Sequence, residues 1–316
     1  MNVLKNLFFK ALIFYVFPLS VLAVFIVSYL AMCKLVFPSE LILSDGTKLS
    51  ERANEIRESL DKRSDTKKVS FKTKDNIKIS GYLTIRKGAI ANLLVCHGYQ
   101  SCKEFSSDVL DLFPNYNILL FDFRAHGQSD GKYRTLGCHE YKDVIAAVNF
   151  LKDKTKNYNK NLPLIILGTS MGGSTAIKAL EYEPNLCNAI ILDSSFSDLR
   201  TIIYHSFKYK ANLPAYPFLP IIERMTNFLA SCDIGKMCPS KNIKNVKQPI
   251  LFIHSCIDNI VPPNDSLLLY ANSLNNKNKI WIGRAVEHSK LRKKYPNIYK
   301  NKVEKFIKET GLLKRT

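Results

Sequence analysis

From Val69 onward, short apolar runs alternate with longer stretches of helical periodicity. "VSFKT" and "IKISGYLTI" alternate apolar and polar residues, which predicts two antiparallel strands at a sheet edge with one face covered. "ANLLVCHG", "NILLFDF", "LIILGTS", "AIILDSS", "PILFIHS" and "KIWIG" are nearly continuous apolar runs, as strands buried on both faces of a parallel sheet require. Helical stretches fall between them at Gly137–Lys152, Met171–Glu181, Asn264–Leu274 and Tyr295–Glu309. Strand and helix in alternation predict a mostly parallel, doubly wound α/β sheet. Phe196–Val246 breaks the rhythm with aromatics and prolines ("ANLPAYPFLP"). A structureless loop of that length does not suit a compact domain, so the segment reads as an inserted, partly helical cap over the carboxyl edge of the sheet.

The N-terminus follows another pattern. Between Lys10 and Lys34 runs the uncharged "ALIFYVFPLSVLAVFIVSYLAMC". At ~1.5 Å per residue it matches a ~30 Å hydrocarbon core, and it exceeds the ~7–15 apolar residues of a cleaved signal peptide. Residues 1–34 therefore read as a single-pass transmembrane anchor. Lys5, Lys10 and the terminal amine before the span balance Lys34, Lys48 and Arg52 after it, so the flanking charges set no orientation. Residues 35–68, including "SERANEIRESLDKRSDTKK", form a charged connector, and 69–316 a folded domain with the cap at about 196–246.

Composition narrows the function classes. A hydrophobic content of 46%, with 18 Phe and 15 Tyr, supplies a packed core and excludes a disordered chain. The net charge of +19 favours anionic surfaces, yet the lysines are scattered and no basic stretch interleaves with aromatics, so no nucleic-acid partner is expected. The 8 cysteines include no Cys-x-x-Cys pair, which argues against a zinc knuckle or a disulfide framework. Cys232 and Cys238 are the pair that an oxidising compartment would join.

"LGTSMGGSTA" carries the candidate chemistry. Small residues on both sides of Ser170, directly after an apolar run, suit a sharp strand-to-helix turn that holds a nucleophile out of the sheet; a plain turn with a serine helix cap is the competing reading. A serine nucleophile needs a base, and the base a carboxylate, in the order Ser, Asp or Glu, His on such a scaffold. Of 6 histidines only His288 follows the last strand run. Asp258, just past "FIHS", is the candidate carboxylate, and Asp193 in "ILDSS" competes with it because both end strands. The backbone N–H of Met171, at the positive end of its helix, and that of Tyr99 in "VCHGYQ" are the candidate oxyanion donors.

"CHGYQ", "FDFRAHGQSDG", "GTSMGG", "HSCIDNIVP" and "EHS", in that order, resemble the α/β-hydrolase superfamily, and within it the serine aminopeptidase-like, membrane-anchored bacterial hydrolases related to the BEM46 group. The resemblance covers about Val69 to the C-terminus. It implies an α/β-hydrolase fold and cleavage of an ester, thioester, amide or peptide without a metal or organic cofactor. It also implies loop-ordering roles for Arg124, His126 and Ser129. Ala125 stands where glycine is common, and a small backbone adjustment is expected there. The expected substrate is a small acyl compound, a lipid or a short peptide. The cap aromatics Tyr204, Phe207, Tyr209, Tyr216 and Phe218, together with the anchor, lean the reading toward an acyl or lipid ester. A serine aminopeptidase acting on short peptides, or a non-catalytic binding protein on the same fold, are the alternatives.

Overall fold

The computed structural model describes residues 5, 10, 12–43, 45–156, 162–209 and 214–313; the remaining residues of the segments named above lie outside these. An eight-stranded sheet holds β1 (Thr66–Lys72), β2 (Lys78–Thr84), β3 (Ala91–Cys96), β4 (Tyr116–Phe121), β5 (Leu164–Thr169), β6 (Ala189–Asp193), β7 (Ile250–Ser255) and β8 (Lys279–Gly283). Its order is β1-β2-β4-β3-β5-β6-β7-β8. The alternating strands β1 and β2 form the antiparallel edge, and the rest of the sheet from β4 to β8 is parallel. β3, β4 and β6 are buried along their whole length, as their mostly apolar sequences require. β1 shows its lysines Lys67, Lys68 and Lys72 to the outside.

Two apolar layers cover the sheet. On one face pack α3 (Tyr141–Thr155) and α4 (Met171–Tyr182), through Val144, Val148, Leu151, Ala176, Ile177 and others. On the other, α8 (Pro296–Thr310) buries Tyr299, Val303, Phe306 and Ile307. Proline at the first helical position starts α8, where its missing N–H costs nothing, and Gly311 at φ 75° ends it. α7 (Pro263–Asn272) joins β7 to β8.

The segment between β6 and β7 is helical as expected, with α5 (Leu199–Tyr209), α6 (Phe218–Ala230) and shorter turns at Ile234–Lys236, Pro239–Asn242 and Ile243–Asn245. Its aromatics divide. Phe207 is buried and stacks on half-buried Phe218 with centroids 6.2 Å apart, whereas Tyr204 and Tyr216 are exposed, Tyr216 by 79%. Tyr216 therefore lines no interior pocket; the side chain of Tyr209 lies outside the described residues.

At the N-terminus a π-helical turn, Leu12–Val16, leads into α1 (Phe17–Val36); Ile13–Val36 is long and apolar enough to cross a membrane. α1 is exposed along its first half, while Val24, Val27, Ser28, Ala31, Met32 and Val36 form a covered stripe of helical spacing that packs along α6. α2 (Leu49–Asp61) follows in the connector.

The cysteines are free, Cys232 and Cys238 included. The Cys232 thiol is buried and donates to Thr135 O at 3.3 Å.

Candidate active site

In the strand order, β3 is flanked by β4 on one side and β5 on the other, so the chain reverses its winding direction between β3 and β5. Open α/β sheets bind ligands outside the carboxyl ends of strands at such a switch point. Cys96 and Gly168 are register partners there, and the turns that follow them leave the sheet side by side.

The turn after β5 carries Ser170, with φ 52° and ψ −119°, a conformation that L-residues rarely adopt. Small neighbours permit it. A Cβ on Gly172 would run into the main-chain oxygens of Cys96 and His97, and one on Gly168 into the backbone of Gly173. Ser170 N donates to Asp193 O at 2.7 Å, which fixes the turn against β6. The Ser170 side chain makes no capping bond to α4, so the helix-cap reading does not describe it. Met171 opens α4 with its N–H in the helix's positive first turn.

The turn after β3 comes up against the elbow: a methyl on Gly98 would lie 3.5 Å from Ser170 Cβ. His97 holds it. Its Nε2 accepts the Phe123 N–H at 3.0 Å, so Nδ1 carries the proton and donates to Gly98 O at 2.7 Å. Burial pushes the His97 imidazolium toward its neutral form, which suits this pattern. Tyr99 comes next, and its hydroxyl donates to Lys34 O at 3.1 Å and Leu35 O at 2.9 Å at the end of α1. Burial raises that phenol to about 12. Arg134 reinforces the same contact, since its N–H donates to Val36 O at 2.7 Å.

His288 and Asp258 meet on the loops after β8 and β7. His288 Nδ1 donates to Asp258 Oδ2 at 2.6 Å, while Oδ1 accepts the N–H groups of Ile260 at 2.9 Å and Val261 at 3.0 Å. Burial alone would raise the Asp258 carboxyl, but hydrogen bonds from His254 and His288 outweigh it and hold the group well below the usual carboxylate range. Ser255, at the end of β7, ties down the loop carrying His288: its Oγ donates to Val286 O at 2.5 Å and accepts Val286 N–H at 3.0 Å. Ser170 Oγ and His288 share no hydrogen bond among the described residues; such pairs often close only around substrate.

Asp193 takes a different place. It is buried, accepts from Ser194 Oγ and Tyr299 Oη, both at 3.1 Å, and has its carboxyl raised by burial. His254, which sequence reasoning passed over, lies behind Asp258. Its Nε2 is 2.8 Å from Val261 O and 3.3 Å from Asp258 Oδ2, and its Nδ1 is 2.6 Å from Ser266 Oγ. Only its polarity inside an otherwise apolar strand marks it in the sequence.

The loop after β4 is built by its polar residues. Arg124 pairs with Asp143 at 2.7 Å and Asp75 at 2.8 Å, and Ser129 Oγ donates to Asp122 O at 2.7 Å. Ala125, where glycine is common, sits in the left-handed region at φ 54°. Cys102, Glu104 and Asp122 present ligand atoms within 4.8 Å of one another. Lys103 Nζ, 2.6 Å from Asp122 and 3.0 Å from Glu104, already supplies positive charge there.

Comparison with known proteins bears on the fold. The serine aminopeptidase S33 family model matches residues 88–227. The Bacillus subtilis protein YqkD is 28% identical over 72% of this chain and 75% of its own length. The Schizosaccharomyces pombe protein bem46 is 24% identical over 64% of each chain. Among solved structures, the Pyrococcus furiosus esterase Pf2001 superposes with a TM-score of 0.64 at 27% identity, over 80% of this chain and 93% of that one.

Proposed function

We propose that this chain, an α/β-hydrolase by fold and similar to the serine aminopeptidase-like and bem46 proteins, is a serine hydrolase held at a membrane by its N-terminal helix. The observation that carries the reading is the His288–Asp258 hydrogen bond of 2.6 Å beyond the same sheet edge as the strained, uncapped Ser170. In this mechanism Ser170 Oγ attacks the acyl carbon of an ester, thioester or amide while His288 Nε2 takes its proton. Asp258 fixes the imidazole tautomer and offsets the charge of the imidazolium. The N–H groups of Tyr99 and Met171 receive the oxyanion. His288 then protonates the leaving group, and water, deprotonated by the same imidazole, releases the acid and restores Ser170.

The apolar N-terminal helix and the name of the Pyrococcus relative favour an acyl or lipid ester. The family model's description favours the second reading, an aminopeptidase on short peptides. The test is labelling of the full-length protein in detergent by a fluorophosphonate probe, followed by turnover of ester, thioester and aminoacyl-amide panels. Labelling lost in Ser170→Ala, with turnover falling ~10⁴-fold or more, is the expected result. An unlabelled, inactive wild type would instead leave a binding protein, and unchanged turnover in Ser170→Ala would overturn the nucleophile. Preference for aminoacyl amides would select the peptidase.

A further inference from the structure

The covered stripe of α1 poses a problem of length. Ile13–Val36 comprises 24 residues, a length that matches a bilayer core. Yet from Val24 to Val36 one face is packed on protein, along α6. The free part, Ile13–Ala23, is roughly 16 Å long at ~1.5 Å per residue, about half of a ~30 Å hydrocarbon core. If α1 lies in the membrane over its apolar length, the helix packed against its second half must lie at lipid depth as well.

α6 suits that position. It buries Leu219, Ile222 and Thr226. Its outer face presents Pro220, Arg224 and Phe228, the last 93% exposed, and Tyr216 precedes it at 79% exposed. An exposed Phe at that level is unfavourable in water, while Tyr and Arg beside it are residues that settle at the headgroup layer with apolar stems in lipid. Ser28, fully buried on the covered face with its Oγ bonded to Val24 O at 2.7 Å, is a small polar residue of the kind that lets membrane helices approach closely. The end of α1, gripped by Tyr99 and Arg134, then brings the turn beside Ser170 close to the membrane surface.

We propose that α6 and the turn before it are immersed in the lipid interface, with Tyr216 and Phe228 in contact with acyl chains. The hydrolase is then seated on one leaflet by two elements, and a substrate reaches the site from the bilayer side. This rests on the reading of α1 as a membrane anchor, and the partner surface is a phospholipid bilayer.

The experiment places Phe228→Trp and Tyr216→Trp separately in the full-length Ser170→Ala protein, reconstituted into phosphatidylcholine–phosphatidylglycerol vesicles. Native Trp281, the 1 tryptophan of the chain, gives the baseline. Each added tryptophan should emit blue-shifted light, lose intensity when the lipid chains carry bromine, and resist aqueous iodide. Emission quenched by iodide and indifferent to brominated lipid, in protein that survives carbonate washing, would overturn the proposal and leave the anchor standing. Protein released by carbonate would overturn both. Shielding from both quenchers, with dimers trapped by cross-linking, would assign the surface to a second copy and also overturn it.

Discussion

The hydroxyl of Tyr99 donates to the main-chain carbonyl of Leu35 across 2.9 Å, so the turn packed beside Ser170 and the end of the apolar helix are one unit. Tyr99→Phe removes this bond and the one to Lys34 O. At about 1 kcal/mol per hydrogen bond, a loss of roughly 1–2 kcal/mol should appear in urea unfolding of the detergent-solubilised protein. Short-ester turnover should fall far less than in Ser170→Ala, because the main-chain N–H is kept. A collapse of turnover equal to that of Ser170→Ala would reject this division of roles between the side chain and backbone of Tyr99.

Asp258 and Asp193 should separate by what each change damages. In Asp258→Asn the amide oxygen is held by the Ile260 and Val261 N–H groups, so the NH2 faces His288 Nδ1, fixes the wrong tautomer and should lower kcat by about 10⁴ with the fold retained. Asp193→Asn disturbs the bonds to Ser194 and Tyr299 and should act chiefly on the melting temperature. Paired kinetics and thermal scans of the two variants decide the matter, and the reverse pattern would make Asp193 the triad acid.

Acid stability follows from Asp258 as well. Its carboxyl is held below its value in the unfolded chain, so the stability it contributes is complete above about pH 4 and is lost as pH falls through the lower folded value. Stability measured by urea titration from pH 6 downward should therefore fall less steeply below about pH 4 in Asp258→Asn than in wild type. Parallel curves would mean that the carboxylate is not linked to folding.

Ala125 at φ 54° invites a test of strain. Relief of about 1–2 kcal/mol on Ala125→Gly should be nearly cancelled by the freer unfolded chain and by the lost buried methyl, worth about 0.8 kcal/mol. A melting temperature within a few degrees of wild type is expected. Ala125→Val adds a β-branch to a buried left-handed position and should cost more than about 2 kcal/mol. A neutral valine would refute the strain.

Much of the fold was legible because burial on both faces leaves a plain mark: β3, β4, β5, β6 and β7 are nearly continuous apolar runs, and the long helices between β4 and β5 and between β5 and β6 carry a clear apolar periodicity. The glycines around Ser170 were legible because a Cβ there has nowhere to go. The contacts of His254, Tyr99 and Arg134 were not. Each acts through a partner distant in sequence, and a hydrogen bond to a remote carbonyl leaves no periodicity. The orientation of the aromatics between β6 and β7 was not legible for a similar reason: composition does not distinguish Phe207, turned inward, from Tyr216, turned out.

The outermost strand, β1, bears on how copies of this chain meet when crowded. Its open edge is a template on which another strand can pair. Two such edges approaching in antiparallel register would bring Lys67, Lys68 and Lys72 of one copy against those of the next, with no acid in the strand to relieve the repulsion. If the N-terminal helix confines the protein to a membrane plane, where encounters are more frequent, this row of ammonium groups would oppose edge-to-edge pairing of neighbouring sheets.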